Sequence, residues 1–100
     1  MNFKKRRSIN LSYNKQGLIY FTCINYGDQP EHIRRKIYEL CEEVGGEYSK
    51  ALFTLLTRSK SVLQISLEFY VSETKLYMLR KQFYEAWSRY MYEPERGKCS

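Results

Sequence analysis

The chain has 100 residues, 43% hydrophobic and 16% aromatic, with a formal charge of +6. That length fits one domain, and that apolar content is enough to bury a core, which excludes disorder throughout. Three cysteines without a C-x-x-C pair and a single histidine, His32, give no support to a zinc site or a disulfide framework, so neither a metal nor a cofactor is expected.

The charge is unevenly placed. Residues 1–27 carry five basic side chains and no acid, residues 28–57 four basic and six acidic, and residues 58–92 six basic and three acidic. An anionic partner would therefore meet the two ends of the chain rather than its middle. Cys23 and Cys41 read as small core residues and Cys99 as a loose thiol, with a reducing cytoplasm as the default compartment. Met1 to Arg7 is basic, but Ser8 to Gly17 is polar and supplies no apolar signal-peptide core. Leu18 to Ile24 is too short to span a bilayer, so no membrane partner is expected.

Residues 1–16 contain Lys4, Lys5, Arg6, Arg7 and Lys15 among Asn and Ser, without sustained periodicity, and read as a flexible basic arm suited to running along phosphates. Gly17 to Tyr26, GLIYFTCINY, favours a strand by composition, yet no later segment offers a pairing strand. A short buried helix with Ile19, Cys23 and Tyr26 on one face is the preferred reading, with a strand pairing across a dimer as the alternative. Asp28-Gln29-Pro30-Glu31 reads as a capped helix start with Asp28 accepting from the first amides. Ile33, Ile37, Leu40, Cys41 and Val44 then form an amphipathic stripe opposite Arg34, Arg35, Glu39, Glu42 and Glu43, ended by Gly45-Gly46.

Tyr48, Ala51, Leu52, Leu55 and Leu56 mark the next helix, to about Thr57, and Arg58 to Ser61 a polar connection with Ser59 or Ser61 as the following N-cap. Val62 to Tyr70 is a helix with Ile65 and Phe69 inward, Val71-Ser72 a turn, and Ser72 the cap of a last helix whose first turn holds Glu73. Leu76, Leu79, Phe83, Trp87 and Tyr90, spaced 3, 4, 4 and 3, carry that helix to about Met91, before Pro94 and Gly97. The spacing fits an ordinary core. The Tyr84 to Met91 end is expected to pack either on residues 18–26 or on a second subunit.

Across Val62 to Lys81 the sequence resembles helix-turn-helix regulators. With Val62 as first place, the family's apolar fourth, eighth, tenth, fifteenth and eighteenth places are Ile65, Phe69, Val71, Leu76 and Leu79, and the small fifth place is Ser66. V-S-E-T-K-L-Y looks like the family's turn-and-recognition segment, with Tyr70 departing from its usual glycine, a replacement that strains a left-handed turn by ~1 kcal/mol or more. More loosely, the order of segments is similar to sigma-factor region 4 and to small phage or mobile-element activators.

The resemblance implies an all-α fold: a small helical bundle in which a tri-helical core with a carboxy-terminal helix-turn-helix at 62–83 follows an amphipathic helix, in one domain over residues 17–92 with a tail at 93–100. It also implies a sequence-specific regulator of double-stranded DNA. Ser72, Glu73, Thr74, Tyr77, Met78 and Lys81 are then the candidate base contacts. Lys4, Lys5, Arg6, Arg7, Arg58, Lys60, Lys75 and Arg80 are the candidate phosphate contacts. A single motif buries little DNA surface, so a homodimer through Tyr84 to Met91 or a partner such as RNA polymerase is expected. Two other readings stand beside it, a terminase-like packaging subunit and a polymerase-binding adaptor. An enzyme is not expected, because the nearest acid pair, Glu42-Glu43, falls on the solvated face of its helix.

Overall fold

The computed structural model describes residues 11–92, which form five α-helices, two 3-10 turns and, among the described residues, no strand. The chain is a small all-α bundle. Lys4, Lys5, Arg6, Arg7, Cys99 and the tail at 93–100 lie outside the described residues.

Helix α1, Tyr13–Ile24, starts four residues before the expected segment, so the last part of the stretch read as an arm is helical. Ser12 caps it, its Oγ accepting from the Lys15 amide at 3.2 Å. Gln16 is buried and its Nε2 donates to the Leu11 carbonyl at 3.0 Å, which satisfies an amide that would otherwise be costly to bury. Gln16, Ile19 and Cys23 form the inward row. The helical reading of residues 17–26 therefore holds for the inward Ile19 and Cys23, while Tyr26 stands just beyond α1 in a 3-10 turn, half-buried against the core. Its ring meets Phe53 edge-on at 5.0 Å. The outer side of α1 leaves Tyr13, Leu18 and Phe21 exposed.

Helix α2, Glu31–Gly45, is not capped by Asp28. Asp28 belongs to the 3-10 turn Tyr26–Asp28, and Pro30, extended at φ −61° and ψ 157°, takes the cap position. The Pro30 carbonyl accepts from the Ile33 and Arg34 amides at 3.0 Å, and the Arg34 guanidinium donates back to the Gln29 carbonyl. The helix ends where expected. Gly46 adopts φ +57°, open to glycine at little cost, and so makes the turn, whereas a Cβ on Gly45 would stand 3.5 Å from Leu52, in ordinary contact.

Helix α3, Ser49–Thr57, buries Ala51, Leu52, Leu55 and Leu56. Helix α4, Val62–Phe69, begins with a full capping box in which the Ser61 Oγ accepts from the Gln64 amide and the Gln64 side chain accepts from the Ser61 amide. Helix α5, Glu73–Tyr92, buries Leu76, Leu79, Arg80, Phe83, Tyr84, Trp87 and Ser88.

Two apolar clusters organise these helices. The larger joins α1, α2, α3 and the middle and end of α5, with Phe83 and Trp87 stacked at 6.0 Å. Cys23 and Cys41 lie in it, and burial, the larger cause, pushes both thiols up, Cys41 to about 12 with Glu42 adding to the rise. The smaller cluster, Ala51, Leu55, Ile65, Val71 and Leu76, joins α3, α4 and the start of α5 into a three-helix unit. Trp87 and Tyr84 are thus buried within the chain's own core, in one cluster with Ile19 and Cys23 of α1, which is the first of the two packings expected for this segment. Arg89, Tyr90 and Met91 remain exposed on that segment.

Candidate nucleic-acid interface

The unit formed by α4, its turn and α5 is fixed by local chemistry at both ends of the turn. Tyr70 closes α4 in the left-handed region at φ 58° and ψ 43°. The Tyr70 and Val71 amides both donate to the Ser66 carbonyl, the second at 3.2 Å, so the α4 end keeps its hydrogen bonds through the reversal. Tyrosine here occupies a backbone region that glycine enters at less cost. Ser72 then caps α5: its Oγ accepts from the Lys75 amide at 3.1 Å and its carbonyl from the Leu76 amide at 3.1 Å.

Of the five apolar places, Ile65, Val71, Leu76 and Leu79 are buried and Phe69 is half-buried against the smaller cluster. Leu79 packs in the larger one instead, so it ties the unit to the rest of the bundle. With Leu76 and Leu79 inward, the phase of α5 turns Glu73, Thr74, Tyr77 and Met78 outward, beside the exposed cap Ser72. Lys81 borders this face and is half-buried. The six residues expected to meet bases are therefore brought together at the start of α5, Ser72 as its cap and the other five on the helix itself.

The expected phosphate contacts are more scattered. Lys75 is half-buried, its ammonium over the Tyr48 ring at 5.4 Å, directed toward the corner between α2 and α3. Arg58 and Lys60 are exposed in the α3–α4 connection, and Lys60 Nζ pairs with Glu68 at 3.0 Å. Arg80 is only 8% exposed and does not share the outward face. Its place follows from the helical repeat, since Leu76, Arg80 and Tyr84 lie four apart in one buried row. The guanidinium stands 5.2 Å from the Tyr77 ring centre and edges a cleft of ≈ 230 Å³ between α1, α3 and α5.

Two features were not anticipated from sequence. One is that cleft, lined by residues from position 20 to position 84. The other is the outer side of α4, where Leu63, Leu67 and Tyr70 are exposed, Tyr70 at 93%. Periodicity gives the i, i+4 spacing of Leu63 and Leu67, but an apolar pair at that spacing reads as buried unless a second stripe, here that of Ile65 and Phe69, claims the core. No family model, no curated protein and no solved structure matches the chain.

Proposed function

We propose that the chain is a sequence-specific double-stranded DNA-binding regulator of phage or mobile-element type that presents the start of α5 to the major groove. The observation that carries this reading is the outward cluster Ser72, Glu73, Thr74, Tyr77 and Met78 on a helix whose angle is held by Ile65, Val71 and Leu76. In this reading Glu73 accepts from a cytosine amino group, Thr74 and Met78 contact thymine methyls, and Tyr77 and Lys81 donate to bases or phosphates. Arg58 and Lys60 meet the backbone and set register. Lys75, turned toward Tyr48, has the weaker claim of the phosphate contacts.

Selection of bound duplexes from a random pool tests it, and enrichment of a motif is expected. Glu73→Ala and Thr74→Ala should relax the preference at single positions. Lys81→Ala should weaken all duplexes alike and reduce the salt slope by about one. Failure to enrich any motif, or equal losses on all duplexes with Glu73→Ala, would count against base readout.

A second reading is favoured by one observation. Leu63, Leu67 and Tyr70 expose apolar surface on α4, as a protein-docking adaptor for RNA polymerase would. Polymerase-dependent retention on DNA, lost with Leu67→Glu, would distinguish it from autonomous binding. Sedimentation completes the comparison, since a large ring would instead favour the packaging reading.

A further inference from the structure

Arg58, Lys60 and Arg80 converge on the cleft between α1, α3 and α5, although 22 positions separate the outer two in sequence. Its lining also holds Ser59, Tyr20 and Tyr84 and, among the described residues, contains three cations and no carboxylate. Glu68 reaches Lys60 from α4 and pairs with it at 3.0 Å. Such a lining concentrates positive potential in a recess partly shielded from water, where each charge acts more strongly than on an open surface.

The three cations are not equivalent. Arg80 is nearly buried and lies against the Tyr77 ring at 5.2 Å, so its planar fork is held in place before any ligand arrives. Arg58 is exposed at the mouth, and Lys60 adds a compact charge. Two guanidinium groups and an ammonium are donors that a tetrahedral oxyanion takes, because forked pairs of N–H groups match its oxygen edges. Size narrows the class further. At ≈ 230 Å³ the cleft falls below the roughly 300–1,000 Å³ of drug-sized ligand sites, so a single phosphate or a small phosphomonoester fits and a dinucleotide does not.

We propose that this cleft is a phosphate-binding site, taking one phosphate group with Arg80 and Arg58 as forked donors and Lys60 as a point charge. The site shares Arg58 and Lys60 with the DNA-binding reading but does not depend on it. The phosphate belongs either to a small phosphorylated molecule or to a backbone position of DNA that reaches the cleft.

The test is a titration of the full ¹⁵N-labelled chain with inorganic phosphate, against sodium chloride at equal ionic strength, followed by amide shifts. Saturable shifts confined to residues 58–60 and 80–84 are expected. Arg58→Gln and Arg80→Lys should each weaken the apparent affinity about tenfold or more, as loss of a charge-assisted contact does, whereas Arg35→Gln on α2 should not change it. Arg58 is exposed, so its variant keeps the test valid if Arg80→Lys perturbs folding. Shifts that never saturate, that spread over all exposed Lys and Arg, or that survive both cleft variants would overturn the site. Addition of a duplex assigns the source: displacement of phosphate points to a DNA backbone phosphate, and simultaneous binding to a free phosphomonoester. Saturable phosphate binding by a chain that binds no duplex would leave the cleft standing while retiring the DNA reading.

Discussion

Tyr70 holds a left-handed backbone while 93% of its surface faces solvent, so no burial offsets the conformational cost. Replacing it with glycine removes the clash between Cβ and carbonyl, about 1–2 kcal/mol, and returns roughly 0.5–1 kcal/mol of chain entropy to the unfolded state. Tyr70→Gly is therefore expected to stabilise the fold by ~0.5–1 kcal/mol, read as a rise in the urea midpoint at unchanged slope. A fall in the midpoint would mean that the ring makes a contact worth more than the strain. At this scale the sequence is legible where a residue's role is set by its neighbours along one helix. Glu73, Thr74, Tyr77 and Met78 face outward because Leu76 and Leu79 fix the phase. The burial of Arg80 follows from its place four residues after Leu76 and before Tyr84, a row that its charge conceals. Gln16 escapes the pattern because a polar residue at a core position hides the row to which it belongs.

Among the elements, α2 to α5 were legible because apolar stripes at helical spacing coincide with start and stop chemistry: Gly45-Gly46 after α2, the Ser61–Gln64 box before α4, Ser72 before α5. Helix α1 was only partly so. Its β-branched and aromatic residues suit a strand, and the helix is decided by burial of Ile19 and Cys23 together with the Ser12 cap. The Asp28 cap failed for a related reason, since a 3-10 turn absorbed the residue before α2 began. The helices also differ in what supports them. Helix α4 has eight residues, one fully buried side chain, Ile65, and rests chiefly on α3 and α5. Local opening follows contact density, so α4 amides should exchange with deuterium faster than those of α2 and the middle of α5. Protection of α4 equal to that of Ile37 to Cys41 would contradict this order.

The whole molecule is two cores on shared beams. Helices α3 and α5 contribute to both clusters, so the outward face of α5 is positioned by the larger core as well as by α4. Among the described residues, no helix is long and apolar enough to cross a membrane. The cleft was beyond sequence reading for a topological reason: Tyr20, Arg58 and Arg80 meet only after α1, α3 and α5 have packed, and no local pattern connects them. The folded bundle also stores protons. Cys23 and Cys41 ionise near pH 9 when unfolded, yet burial, reinforced for Cys23 by the Cys41 charge, keeps both protonated well above that. Their contribution to stability is complete below pH 9 and is lost as pH rises toward the folded values, at up to about 1.4 kcal/mol per pH unit for each thiol. Unfolding of a Cys99→Ser chain between pH 9 and 11 should thus release protons, and a Cys23→Ala/Cys41→Ala pair should show a shallower alkaline decline even if it starts from lower stability. Two small sulfur atoms, unremarkable as packing, would then set the alkaline limit of the fold.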